Sequence, residues 1–125
     1  MRRLLLPALL VLVAAAPAAA SPRYDVDGPR SVKVGQRVTF TVTGAHPRER
    51  VEVSLAPTRN RGGNCCGILM RGARADADGV ARLRFRWPRA YFNGAKKVRW
   101  TPRAKADVIV FGEGRGIAVV RVKRG

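Results

Sequence analysis

The stretch Arg37-Val38-Thr39-Phe40-Thr41-Val42-Thr43 alternates polar and apolar residues without a break, and its apolar members are β-branched or aromatic. That pattern suits a strand with one wet face and one buried face. The same period of two returns on either side. Val51, Val53 and Leu55 alternate with Glu52, Ser54 and Ala56. Leu83, Phe85 and Trp87 alternate with Arg82, Arg84 and Arg86, and Val120 and Val122 alternate with Arg121 and Lys123. Val108 to Phe111 is a continuous apolar run. After Ser31 no segment of ten or more residues holds helical spacing without a glycine or proline to break it. Turn chemistry separates the runs: Gly44-Ala45-His46-Pro47, Asn60 to Gly67, Asp76-Ala77-Asp78-Gly79, Asn93-Gly94 and Gly112 to Gly116. Seven strands are predicted, at about 31–34, 37–43, 50–56, 68–73, 80–87, 106–111 and 117–123, in one all-β sandwich.

The first twenty residues read differently. Met1, Arg2 and Arg3 precede an apolar run from Leu4 to Val13 and a small-residue tract that ends in Ala18-Ala19-Ala20, the layout of a secretory signal peptide cut after Ala20. Leu4 to Ala20 is short for a membrane span and contains Pro7 and Pro17. Removing these twenty residues and their two arginines from a chain of 125 residues at net +17 leaves 105 residues at +15. That is the size of one domain. Residues 21–30 are expected as a loose leader, and 31–125 as the domain. The expected location is outside the cell or at its envelope.

The segment Val32-Lys33-Val34-Gly35-Gln36-Arg37-Val38-Thr39-Phe40 and the later Asp76-Ala77-Asp78-Gly79-Val80-Ala81-Arg82-Leu83-Arg84-Phe85 resemble patterns of bacterial secreted immunoglobulin-like domains. The resemblance implies an antiparallel immunoglobulin-like β-sandwich, in a family of adhesion, spacer and binding modules. It carries over no functional residue. Cys65 and Cys66 depart from the family's facing-strand cysteines, since they are adjacent and lie in a loop.

That strand order implies two unlike ends. One gathers 44–49, 74–79 and 112–116, with His46, Glu49, Asp76, Asp78 and Glu113. The other gathers 57–67 and 88–105, with Arg59, Arg61, Arg89, Lys96, Lys97, Arg99, Arg103 and Lys105 and no carboxylate. Tyr91, Phe92 and Trp100 interleave with these cations. Cations with aromatics can grip a polyanion, and large rings at the end of a small sandwich can equally cap its core. Arg82, Arg84 and Arg86 form a second basic surface, pointing out together at steps of about 7 Å. Thr39, Thr41 and Thr43 on the expected neighbouring strand do not neutralise them.

Cys65 and Cys66 lie in a chain expected to be exported to an oxidising compartment, where thiols pair. Adjacent Cα atoms are about 3.8 Å apart, below the roughly 4.4 Å floor of ordinary disulfides, so a vicinal bridge strains its peptide. A vicinal bridge, an intermolecular disulfide and free or metal-bound thiols all stay open.

Catalytic patterns are sparse. The lone histidine, His46, is separated from the cysteines by a strand of about 20 Å, too far for a nucleophilic pair. No serine stands in a nucleophile elbow. Counting Asp76 as the first position of a calcium loop puts Trp87 where a bidentate glutamate is required. Gly112 to Gly116 joins two strands and opens no helix, so it is no phosphate loop. The chain is therefore expected to be no enzyme and to need no cofactor or metal. The expected function is binding to an anionic partner: a wall polyanion, glycan, nucleic acid or anionic lipid. The alternatives are a structural or protein-interaction module whose charge is purely compositional, and a redox-sensitive loop at Cys65 and Cys66.

Overall fold

In the computed structural model the described residues, 22–58 and 66–124, are all β. Ten strands run in chain order: β1 Asp25–Asp27, β2 Ser31–Lys33, β3 Arg37–Thr43, β4 Arg50–Pro57, β5 Cys66–Arg74, β6 Ala81–Arg86, β7 Ala90–Asn93, β8 Lys96–Arg99, β9 Lys105–Phe111 and β10 Arg115–Lys123. They form two sheets, one in the order β1-β3-β6 and one in the order β2-β10-β9-β4-β5-β7-β8. No helix among the described residues is long and apolar enough to cross a membrane.

The period of two does what it predicts. In β3 Val38, Phe40 and Val42 are buried while Arg37, Thr39 and Thr43 are exposed, and in β6 Leu83 and Phe85 are buried between three exposed arginines. Val51, Val53, Leu55, Val108, Val110, Val120 and Val122 supply the inner face of the larger sheet. No polar or charged side chain among the described residues is buried in this core. One line of rings runs through it towards one end of the molecule. Phe40 stacks on Phe85 at 6.0 Å, Phe85 meets Trp87 at 6.2 Å, Trp87 meets Trp100 at 5.6 Å, and Trp100 meets Tyr91 at 4.6 Å.

Three strands go beyond the seven predicted. Residues 90–99 form the β7–β8 hairpin, which extends the larger sheet past β5. The expected loose leader instead carries β1, paired antiparallel with β3, and Tyr24, which is buried in the core. The sandwich is also not wholly antiparallel, because β2 pairs parallel with β10. The reason lies in the crossing at residues 28–30: the chain leaves the smaller sheet and joins the larger one without reversing direction.

Gly79 closes the turn between β5 and β6 with φ +77°, and a Cβ there would lie 2.1 Å from the Ala45 carbonyl oxygen. Gly94, between β7 and β8, has φ +64° and open space around it. Alanine at Gly94 should therefore cost only the left-handed backbone penalty, about 1–2 kcal/mol. Gly79→Ala should cost clearly more, because the Ala45 backbone must also move. Chemical denaturation of the two variants checks this, and equal losses would refute the close approach.

Candidate functional site

The registers gather the predicted cations at one end. Arg37 stands opposite Arg86, Pro57 opposite Ala106, Arg121 opposite Lys105, Lys123 opposite Lys33, and Cys66 opposite Asn93. The starts of β3, β5 and β9 and the ends of β4, β6 and β10 therefore lie together. Lys96 and Lys97 open β8 beside this end, and Arg99 follows along the same edge strand. Arg103 and Lys105 line a cleft of about 580 Å³ with Pro57, Thr58, Thr101, Pro102 and Ala104. The Ala104 amide donates to the Thr101 carbonyl at 3.1 Å, and Arg103 takes φ +64° inside that turn, a position that usually calls for glycine. Arg59, Arg61 and Cys65 lie outside the described residues. Cys66 is disulfide-bonded, and the expected vicinal pairing falls on Cys65.

Among the described residues the ion pairs are His46 with Glu113 at 3.6 Å and Arg50 with Glu52 at 2.9 Å. Both belong to the opposite end, so no described cation at the basic end has a carboxylate within pairing distance. The nearest acid along the chain is Asp107, which accepts from the Thr58 hydroxyl at 2.9 Å.

The aromatics named with these cations are not a stacking platform. Trp100 is only 7% exposed and packs between Trp87 and Tyr91. Its role is to close the core, which corrects its place among the anion-binding residues. Neither the Trp87 nor the Trp100 indole N–H finds a protein acceptor. Of the three rings, Phe92 is the exposed one.

Arg82, Arg84 and Arg86 do share one exposed face. Thr41 stands opposite Arg82 and Thr39 opposite Arg84, as expected, but the partner of Arg86 is Arg37, and Thr43 faces Asp25. Sequence reading missed Arg37. The alternation in 37–43 already places it on the face of Thr39, and only the strand register adds Arg86 beside it.

At the opposite end the carboxylates are occupied in holding three connections together. Backbone bonds assist them: the Ala45 amide donates to the Gly79 carbonyl, the Arg48 amide to the Asp76 carbonyl, and the Ala75 amide to the Glu49 carbonyl. Glu49 accepts the Tyr24 hydroxyl, the Glu113 amide at 2.7 Å and the His46 amide at 2.8 Å. The Gly114 amide donates to the Tyr24 oxygen at 2.7 Å. A Cβ at Gly114 would lie 2.2 Å from the Pro22 carbonyl oxygen, so the glycines of 112–116 serve close backbone approach. Burial, then the bond to Glu49, pushes Tyr24 up to about 12. Burial alone would raise Glu49, but the hydroxyl and two amides donated to it outweigh that and hold it below the usual carboxylate range. Asp76 is also lowered, by the amides of Val80 and Asp78 that it accepts, which makes 76–79 a turn.

A further surface carries no sequence prediction. On the outer face of the larger sheet Ser54 stands between Leu69 and Ile109, and Ile109 faces Ile117. Asp107 in the next row stands between Ala56 and Val119. Leu69, Ile117 and Val119 are 65%, 60% and 52% exposed. Three exposed apolar side chains thus share this outer face. The signal was present in Ile117-Ala118-Val119-Val120, where both faces of a strand are apolar.

No family model matches the chain, and no curated protein matches it. Among solved structures it is similar to macromomycin, with a TM-score of 0.54 and 17% identity over 83% of this chain and 99% of that one. This likeness shows the fold alone. A superoxide reductase (neelaredoxin) from Ignicoccus hospitalis has a TM-score of 0.45 and 15% identity, covering 90% of each chain. The alkylpurine DNA glycosylase AlkC of Pseudomonas fluorescens has a TM-score of 0.45 and 15% identity over 83% of this chain and 31% of its own. The expectation that the chain is no enzyme does not stand, since one architecture hosts binding and catalysis alike; these two likenesses, at 15% identity, assign no reaction to it.

Two outcomes follow. Folding holds Tyr24 neutral above its ordinary range, so its stabilisation is complete below about pH 10 and is lost as pH rises towards about 12. Glu49 is lowered, so its stabilisation is present above about pH 4.3 and is lost as pH falls through its folded value. Thermal melts should show a steeper alkaline loss for the parent than for Tyr24→Phe, and a steeper acid loss than for Glu49→Gln; parallel curves would refute the lock. Trp100→Phe removes an unpartnered donor and should cost far less than Trp100→Ala, expected at about 3–5 kcal/mol. Equal costs in denaturant melts would place the ring outside the core.

Proposed function

We propose that the chain is an exported immunoglobulin-like module that binds an anionic polymer or surface at or beyond the cell envelope. The observation that carries this reading is the segregation of charge. Carboxylates at one end are engaged in hydrogen bonds, while Lys96, Lys97, Arg99, Arg103 and Lys105 lie at or beside the other without an ionic partner. Like charges left together raise the local potential and attract counter-ions, and a polyanion replaces many of those counter-ions at once. The two-sheet layout and the likeness to macromomycin support the immunoglobulin-like assignment. Ala18-Ala19-Ala20 after an apolar run supports export. Because Trp100 is spent in the core with Tyr91 packed on it, leaving Phe92 alone exposed, recognition rests on charge rather than on a platform of stacked rings.

The outer apolar rows around Leu69, Ile109 and Ile117 favour a second reading, a protein-interaction module whose positive charge is incidental. The two readings separate on one measurement. Binding of the full chain to immobilised heparin should fall steeply between about 50 and about 200 mM salt. Reversal of Lys96, Lys97 and Arg99 to glutamate should abolish most of it. Retention that ignores both salt and charge reversal overturns the polyanion reading.

A further inference from the structure

The cleft between β3 and β6 differs from the rest of the basic surface. Cross-strand neighbours on an antiparallel ladder have Cβ atoms about 4.5–5.5 Å apart, and like charges placed there repel. Arg37 and Arg86 are such a pair. Long side chains can splay to relieve this, but Arg86 Nη1 donates to the Gly35 carbonyl at 3.3 Å, which ties its guanidinium beside the turn leading into Arg37. Arg84, two residues along β6, and Thr39, opposite it, complete the rim of a cleft of about 430 Å³. None of the three guanidiniums has a carboxylate partner. The acids of this sheet, Asp25 and Asp27, stand on β1, opposite Thr43 and Thr41.

From this we infer that the Arg37–Arg86 pair, with Arg84 and the Thr39 hydroxyl, is a discrete binding site for a tetrahedral oxyanion, a phosphate or sulfate group. A carboxylate offers two oxygens and satisfies one guanidinium fork. A phosphate or sulfate group offers three or four, enough to accept from all three arginines and a hydroxyl together. The anion removes the repulsion that the register imposes, so the site is completed by its ligand. The row continues to Arg82 at steps of about 7 Å, so a group carried on a linear polymer can be followed by its neighbours along β6. The inference rests on the anion-binding reading for the class of partner, and places a specific group at residues distinct from those at the β8 end.

The test titrates the full chain with inorganic phosphate, sulfate and acetate at low millimolar concentration and equal ionic strength, following arginine Nε–H resonances. Phosphate and sulfate should shift Arg37, Arg84 and Arg86 saturably, and acetate should not. Arg37→Gln and Arg86→Gln should each weaken binding about tenfold, the loss expected for one charge-assisted hydrogen bond. Arg86→Lys, which keeps the charge but not the fork, should fall between. The triple reversal at Lys96, Lys97 and Arg99 should leave phosphate binding in place. A phosphodiester oligomer run in parallel distinguishes a polymer-borne group from the free ion by its greater affinity. Equal response to acetate, or no loss in Arg37→Gln and Arg86→Gln, overturns the site even if heparin retention is normal. Saturable phosphate binding with no polyanion retention would leave the site standing and sink the broader reading.

Discussion

The packing of the smaller sheet's inner face, Phe40, Phe85 and the adjoining Trp87, against the valines and Leu55 of the larger sheet, with Trp100 closing one end, is what the rest of the molecule depends on. A chain with 25 basic and 8 acidic residues repels itself when it compacts. An uncharged interior must outweigh that repulsion, and each fully buried aliphatic or aromatic side chain contributes about 1.5–3 kcal/mol towards doing so. No cation is admitted to this core among the described residues. Every described guanidinium and ammonium is therefore displaced to the outer faces and ends, and strand register decides which of them become neighbours.

The ends differ because their carboxylates do. At the acidic end Glu49 holds residue 24, the 44–49 connection and the 112–114 turn at once, and Asp76 shapes its own turn. These acids are committed to backbone amides and a hydroxyl, so they add rigidity more than open negative surface. At the basic end the connections are held by backbone bonds such as Gly35 to Trp87 and Ala104 to Thr101. The side-chain charges there are left for the solvent or a partner.

Strand identity was legible wherever inward and outward residues differ in polarity, which is why 37–43 is recovered to the residue and 50–56, 80–87 and 106–111 to within one. It failed where local pattern is silent. Asp25-Val26-Asp27 is too short to show a period, and it is a strand because β3 offers a ladder and Tyr24 has a partner in Glu49. The 90–99 hairpin was half legible: the 88–105 connection is long enough to hold an extra element and Lys97 to Trp100 offers a short strand, but Tyr91, Phe92, Lys96 and Lys97 follow no alternation that would show its partner. The two-ended charge distribution was readable from chain order. The Arg37–Arg86 juxtaposition was not, since it depends on pairing between residues 49 positions apart. The outer rows escaped notice because Ser54 and Asp107, polar in sequence, sit in rows with Leu69, Ile109, Ile117 and Val119.

The uneven distribution of positive charge also gives the molecule a direction. A body whose free cations cluster towards one extremity carries a permanent electric moment between its two ends, and near a negatively charged boundary it turns before it touches. Each docked copy would then stand upright, with the Tyr24 and Glu49 extremity facing away from that boundary. The fold would behave as a short post with a reproducible top.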